Sequence, residues 1–134
     1  MTTYVDSSAF LKLYIDEADS DQAQRILSAD PVLATSWLTI IEVRRNLARL
    51  ASGPGLHQAR ARWETDTDRL ALVNPTERTW RAAAEIAEEL GVRSLDALHL
   101  ATAKQLEISQ LTFCTFDLRQ GQAARALGLH VIGC

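Results

Sequence analysis

Gln110-Leu111-Thr112-Phe113-Cys114-Thr115-Phe116, with Asp117 directly behind it, decides how this chain folds. The run has no charge and is rich in aromatic and β-branched side chains, so it reads as a strand buried on both faces. The acid at its end stands where such a strand hands over to a turn. Upstream, Leu95 to about Glu107 is apolar on most faces and has Ser94 available as a cap, which predicts a buried helix. Downstream, a short helix after Asp117 and a last strand over Leu129–Ile132 close the chain.

The same alternation runs back to the beginning. Thr3–Val5 reads as a first strand that ends at Asp6, followed by a helix over Ser7–Ile15 with Asp6 or Ser7 as its cap. A second helix is expected over Asp19–Ser28. Asp30-Pro31 marks a turn, and Val32–Thr35 reads as the second strand. Ser36 can cap a long helix to about Ala51, and the nearly all-round apolar stretch Trp37–Val43 predicts that its first half is buried. Ser52-Gly53-Pro54-Gly55 interrupts it, and a further helix over Leu56–Asp68 completes an antiparallel helical hairpin. Leu70–Val73 is a third strand. Asn74-Pro75-Thr76-Glu77 has the form of a capping box with proline at the first helical position, opening a helix that stops at Gly91. Strands alternating with helices give an α/β chain, a parallel sheet covered on both sides. Ligands in such sheets bind beyond the carboxyl ends of the strands.

The 134 residues are expected to form one domain, 1–134, with 47 % hydrophobic and 23 % charged residues. A formal charge of −3 excludes a protein that grips nucleic acid mainly by neutralising phosphates. It is compatible with a nuclease whose acids are loaded with cations. Cys114 and Cys134 have no metal-ligand spacing and read as reduced thiols. The start has no basic leader, and Lys12 and Asp16 interrupt the apolar stretch behind it. Neither a signal peptide nor a membrane span is expected, and the protein is expected in the cytoplasm.

Four acids stand against apolar neighbours: Asp6, Glu42, Asp96 and Asp117. Singly, Asp6 reads as a helix cap, Asp96 as a first-turn acid and Asp117 as a turn residue. Glu42 resists such a reading, because Ile40, Ile41 and Val43 surround it, and Arg45 is its one local partner. Two charges about 4 Å apart repel by roughly 4 kcal/mol at an effective dielectric of about 20, so convergent acids call for a cation. His99 reads as a core histidine, and Trp37, Trp63 and Trp80 as core tryptophans. Phosphate loop, nucleophile elbow and zinc pattern are all lacking in the sequence.

The stretches Val5-Asp6-Ser7-Ser8-Ala9, Ile41-Glu42-Val43, Leu95-Asp96-Ala97-Leu98-His99-Leu100-Ala101-Thr102-Ala103 and Thr115-Phe116-Asp117 each hold one acid. In that order the chain resembles the PIN-domain proteins, and among them the VapC-type toxins of toxin–antitoxin pairs. The resemblance covers essentially the whole chain. It implies an α/β/α sandwich with a five-stranded parallel sheet, and Mg²⁺- or Mn²⁺-dependent endoribonuclease activity that inhibits translation. It also implies a VapB-like antitoxin and a homodimer within the complex. Its acidic site carries over to Asp6, Glu42, Asp96 and Asp117, with Ser7 and Thr115 as supporting hydroxyls.

On this reading Asp6 and Asp96 hold the principal metal, and Asp117 and Glu42 complete that site or bind a second ion. Lys12, Arg44, Arg45, Arg93 and Arg119 are the candidates for RNA phosphate contacts. An amphipathic antitoxin segment would lie over Phe10, Leu11 and Tyr14 and around Trp37 and Trp63, unless those residues are core. Two other readings remain open. A phosphatase or dehalogenase with Asp6 as nucleophile would want a second acid where Ser8 stands. A PIN-like interaction module would keep the acids without catalysis. A phosphoacceptor receiver domain fits less well, since Val73 is followed by Asn74-Pro75 and not by an aspartate.

Overall fold

The computed structural model describes residues 2–134. Five parallel strands form one sheet: β1 (Thr2–Val5), β2 (Val32–Ser36), β3 (Ala71–Val73), β4 (Thr112–Cys114) and β5 (His130–Ile132). Their spatial order is β3-β2-β1-β4-β5. The first strand is therefore central, in register with β2 through Thr3↔Leu33 and with β4 through Val5↔Cys114. The chain winds to one side of β1 and then to the other, so the switch point of the sheet lies between β1 and β4.

The helices are α1 (Ser7–Leu11), α2 (Ser20–Ala29), α3 (Leu38–Leu50), α4 (Gly53–Thr67), α5 (Glu77–Leu90), α6 (Ser94–Gln105) and α7 (Leu118–Ala126). Strand pleating assigns them to layers. Tyr4, Ala34 and Phe113 face the core shared with α5, α6 and α7. Their neighbours Val5 and Cys114 face the core of α1 to α4. Period-two alternation on two buried faces thus yields the expected α/β/α sandwich.

Helix starts depart from the sequence reading for local reasons. Trp37 is the N-cap of α3, and Ser36 ends β2 with its Oγ accepting from the Leu38 N–H at 3.1 Å. The break at residues 52–55 is shorter than expected: α4 already begins at Gly53 and takes Pro54 into its first turn, where a missing N–H costs nothing. The capping box at α5 is formed by Thr76 and Thr79, which leaves Pro75 outside the helix. Gly91 ends α5 with φ 68°, a left-handed conformation that glycine adopts without strain. Arg93, not Ser94, occupies the cap position of α6 and makes no side-chain cap bond. The first helix stops at Leu11, and β4 is confined to the three residues that β1 and β5 pair.

The tryptophans separate. Trp63 is buried in the layer of α1 to α4, its ring 5.2 Å from Phe10 and 5.8 Å from Tyr14. Trp37 and Trp80 are 47 % and 57 % exposed, so neither fills the core. Ile41 is 68 % exposed. The buried stripe of α3 is Thr39, Val43 and Leu47, spaced by four, which turns Ile41 to the outside despite its apolar neighbours. Burial of Phe10 and Trp63 also removes both from the expected antitoxin surface. We expect Trp63→Ala to cost about 3–5 kcal/mol and Trp80→Ala no more than about 0.5 kcal/mol, measured by urea denaturation.

Candidate active site

Asp6 follows β1 directly and caps α1. Its Oδ1 accepts from the Ser8 N–H at 3.1 Å, the Ala9 N–H at 3.4 Å and the Ser8 hydroxyl at 2.6 Å. Its Oδ2 accepts from the Thr115 hydroxyl at 2.5 Å. Only 5 % of Asp6 is exposed. That burial pushes its pKa above the ordinary aspartate value, while nearby His99 and the bonds from Ser8, Thr115 and Ala9 act the other way. The adjoining register pair Val5↔Cys114 explains why Asp6 and Thr115, each one residue further on, meet across the strand ends.

The same hydroxyls fix the fourth acid. Thr115 Oγ1 accepts from the Asp117 N–H at 3.1 Å, and Ser8 Oγ accepts from the Phe116 N–H at 3.0 Å. Asp117 caps α7 by accepting the Gln120 N–H on Oδ1 at 3.0 Å. Gln120, itself buried, sends its Nε2–H to the backbone oxygen of Asp96 at 3.0 Å and so ties the start of α7 to α6.

Glu42 and Asp96 come from the facing ends of α3 and α6. Glu42 Oε1 is bonded to His99 Nε2 at 2.5 Å, and His99 Nδ1 is bonded to the Tyr4 hydroxyl at 2.7 Å. Burial pushes the Tyr4 phenol far above its usual pKa. Asp96 Oδ2 accepts from Arg93 Nε at 3.3 Å. A cleft of about 240 Å³ is lined by Glu42, Arg93, Ser94, Leu95 and Asp96. A second, of about 500 Å³, includes Arg93, Asp96, Asp117, Arg119 and Gln122. Arg93 and Asp96 belong to both walls, so three of the acids, Glu42, Asp96 and Asp117, line adjoining clefts, while Asp6 lines neither.

Other sequence expectations fare differently. The hydroxyl partner of Asp6 is Ser8, not Ser7, because the Asp6 cap reaches the residue two positions on. Lys12 is drawn away into ion pairs with Glu17 and Asp19, the latter at 3.5 Å. Glu42 pairs with His99 and not with Arg45, and Arg44 and Arg45 line neither cleft. Arg93 and Arg119 do. His99 was legible as more than core: it lies three residues after Asp96, one helical turn along the same face. Gln120 was legible too, as the third residue after a capping aspartate.

Among the described residues, no three His, Cys, Asp or Glu side chains already form a metal cage. The oxygens nevertheless suit a hard divalent ion. Glu42 Oε1, Asp96 Oδ2 and Asp117 Oδ1 are engaged as above, which leaves Oε2, Oδ1 and Oδ2 of these residues without protein partners among the described residues. The buried Gln120 Oε1, next to the same backbone, also lacks a partner.

The sequence matches the PIN domain model over residues 3–126. Ribonuclease VapC46 of Mycobacterium tuberculosis is 36 % identical over 129 residues, covering 96 % of this chain and 95 % of that one. The crystal structure of Mycobacterium tuberculosis VapC20, titled a Sarcin-Ricin loop cleaving toxin, is similar with a TM-score of 0.76 at 20 % identity, covering 98 % of each chain. A toxin–antitoxin complex from Klebsiella pneumoniae contains a similar chain, with a TM-score of 0.67 at 18 % identity and 86 % of each chain covered. The sandwich, the acids at its switch point and a family model that spans nearly the whole sequence agree: this chain belongs to the PIN-domain family, in its VapC branch.

Proposed function

We propose that this protein is a divalent-cation-dependent endoribonuclease and the toxin of a toxin–antitoxin pair, with Asp6, Glu42, Asp96 and Asp117 as its acidic site. The observation that carries the reading is the rim on which Arg93 and Asp96 join both clefts, one with Glu42 and the other with Asp117 and Arg119. The ribonuclease name of a relative matched over nearly its full length supports RNA as substrate.

Each side chain has a distinct part. Asp6, held by four hydrogen bonds, is the rigid anchor. Asp96, Asp117 and Glu42 offer their unengaged oxygens to the ion. Mg²⁺ or Mn²⁺ held there would make water a stronger nucleophile and offset the charge that builds on the phosphate. Arg93 and Arg119 flank the cleft with the charge that attracts a phosphodiester and orients it along the acids. No side-chain nucleophile is required, and in-line attack by water leaves a 5′-phosphate and a 3′-hydroxyl. The partner is a VapB-like antitoxin. Exposed Trp37 and Ile41, beside Glu42 on α3, offer apolar surface for an amphipathic segment. A basic side chain of that segment reaching the acids would compete with the cation.

Purified protein should cleave RNA with Mn²⁺ or Mg²⁺ and lose that activity with chelator, in Asp6→Asn and in Asp96→Asn; cleavage that persists in both variants defeats the proposal. Arg119→Ala should weaken binding of single-stranded RNA and lower the slope of log K against log salt by about 0.7, one phosphate contact.

Stability should follow Asp6 in the opposite sense. A carboxyl whose pKa rises on folding stabilises below its unfolded pKa and loses that contribution as pH climbs through the folded one. Ionised Asp6 is thus a cost to the cation-free fold at neutral pH. In chelator at pH 7, Asp6→Asn should melt above the wild type, and the gap should close below about pH 3.9. Added Mn²⁺ should raise the Tm of the wild type and leave that of the variant unchanged.

A further inference from the structure

His99 makes two side-chain bonds in a place where the acidic site needs neither a base nor a nucleophile. It lies on α6 three residues beyond Asp96 and is 1 % exposed. Its Nε2 meets Glu42 Oε1, 2.5 Å away on α3, and its Nδ1 meets the hydroxyl of Tyr4, 2.7 Å away on β1. The Tyr4 ring is itself immobilised, stacked on Phe113 with centroids 5.5 Å apart and planes 9° apart, and set edgewise to His99 at 5.9 Å. The chain Tyr4–His99–Glu42 therefore runs from the central strand through the helix that carries Asp96 to the carboxylate on α3.

Donor and acceptor inventory fixes the end at Glu42. A carboxylate only accepts, so the hydrogen between His99 and Glu42 sits on Nε2. Tyr4 fills the other nitrogen, so both ring nitrogens have partners. Glu42 is otherwise a long side chain with 17 % of its surface open to solvent and several rotamers available. Anchoring Oε1 selects one of them and leaves Oε2 without a protein partner among the described residues, on a side chain that lines a cleft together with Asp96.

We propose that His99, oriented by the Tyr4 hydroxyl, is the positioning residue that holds the Glu42 carboxylate for the divalent cation. The inference rests on the reading of Glu42 as a metal-binding acid and adds what places it. Mutation of hydrogen-bond partners just outside a metal's ligands typically costs about 10–100-fold in metal affinity or activity.

The experiment is Mn²⁺ titration of the full chain by electron paramagnetic resonance, without RNA, so that binding is read apart from cleavage. His99→Leu should weaken Mn²⁺ binding by about tenfold. His99→Gln, which keeps an N–H donor, should recover most of the loss. In a Glu42→Gln background, His99→Leu should add nothing, because the group it positions has gone. Tyr4→Phe, the milder change, should weaken binding a few-fold and shift the His99 ring resonances in ¹⁵N spectra of the metal-free protein. Wild-type affinity in His99→Leu, or an equal loss with and without Glu42, would reduce His99 to a packing residue and overturn the inference alone. Wild-type affinity in both Asp6→Asn and Glu42→Gln would instead remove the metal reading itself, and this inference with it.

Discussion

A carboxylate buried at the end of the central strand is the constraint around which this protein is organised. Asp6 would be costly in that position without compensation, by several kcal/mol for an ionised group taken out of water. Two backbone N–H groups of α1 and the hydroxyls of Ser8 and Thr115 provide part of it. Those bonds do more than satisfy one side chain. They pin the start of α1 to the end of β4, and the same hydroxyls then receive the N–H groups of Phe116 and Asp117. The turn that carries the fourth acid is set by the group that solvates the first.

Close backbone approach reinforces this corner. Gly133, at φ 105°, passes so near the Thr115 carbonyl that a Cβ there would lie 2.2 Å from its oxygen. Only glycine allows the end of β5 to close over the residue that holds Asp6. On the other layer, Gln120 links the start of α7 to the first turn of α6. The acids thus stand on separate elements whose ends are cross-bonded. Cross-bonding of that kind suits the cation proposed above, since the ligand distances of a small, hard ion tolerate little variation.

Much of this was legible in the chain. Alternating strands and helices and Gly91 as a stop follow from local chemistry and appear in the structure; a capping box opens α5 as well, but between Thr76 and Thr79, with Pro75 outside the helix. The order of the four acids and their apolar settings led to the family. Other expectations failed for identifiable reasons. An apolar stretch such as Trp37–Val43 does not announce which of its faces meets the sheet, and Ile41 faces out. Sequence offers Glu42 only neighbours one turn away, such as Arg45, whereas its partner His99 is 57 residues on. Ser8, and not the expected Ser7, bonds Asp6, because the geometry of the cap and not adjacency selects the hydroxyl.

The sequence by itself determined the elements and the residue types: period-two runs that bury on two faces, turn residues that stop helices, and acids seated where strands end. Only the tertiary structure decided which of these groups meet. Local propensity acts over a few residues, while the contacts of Asp6 with Thr115, Glu42 with His99 and Tyr4 with His99 join residues 109, 57 and 95 positions apart. Such pairings depend on strand order and on how each helix is rotated against the sheet, and packing of the two buried layers settles both at once.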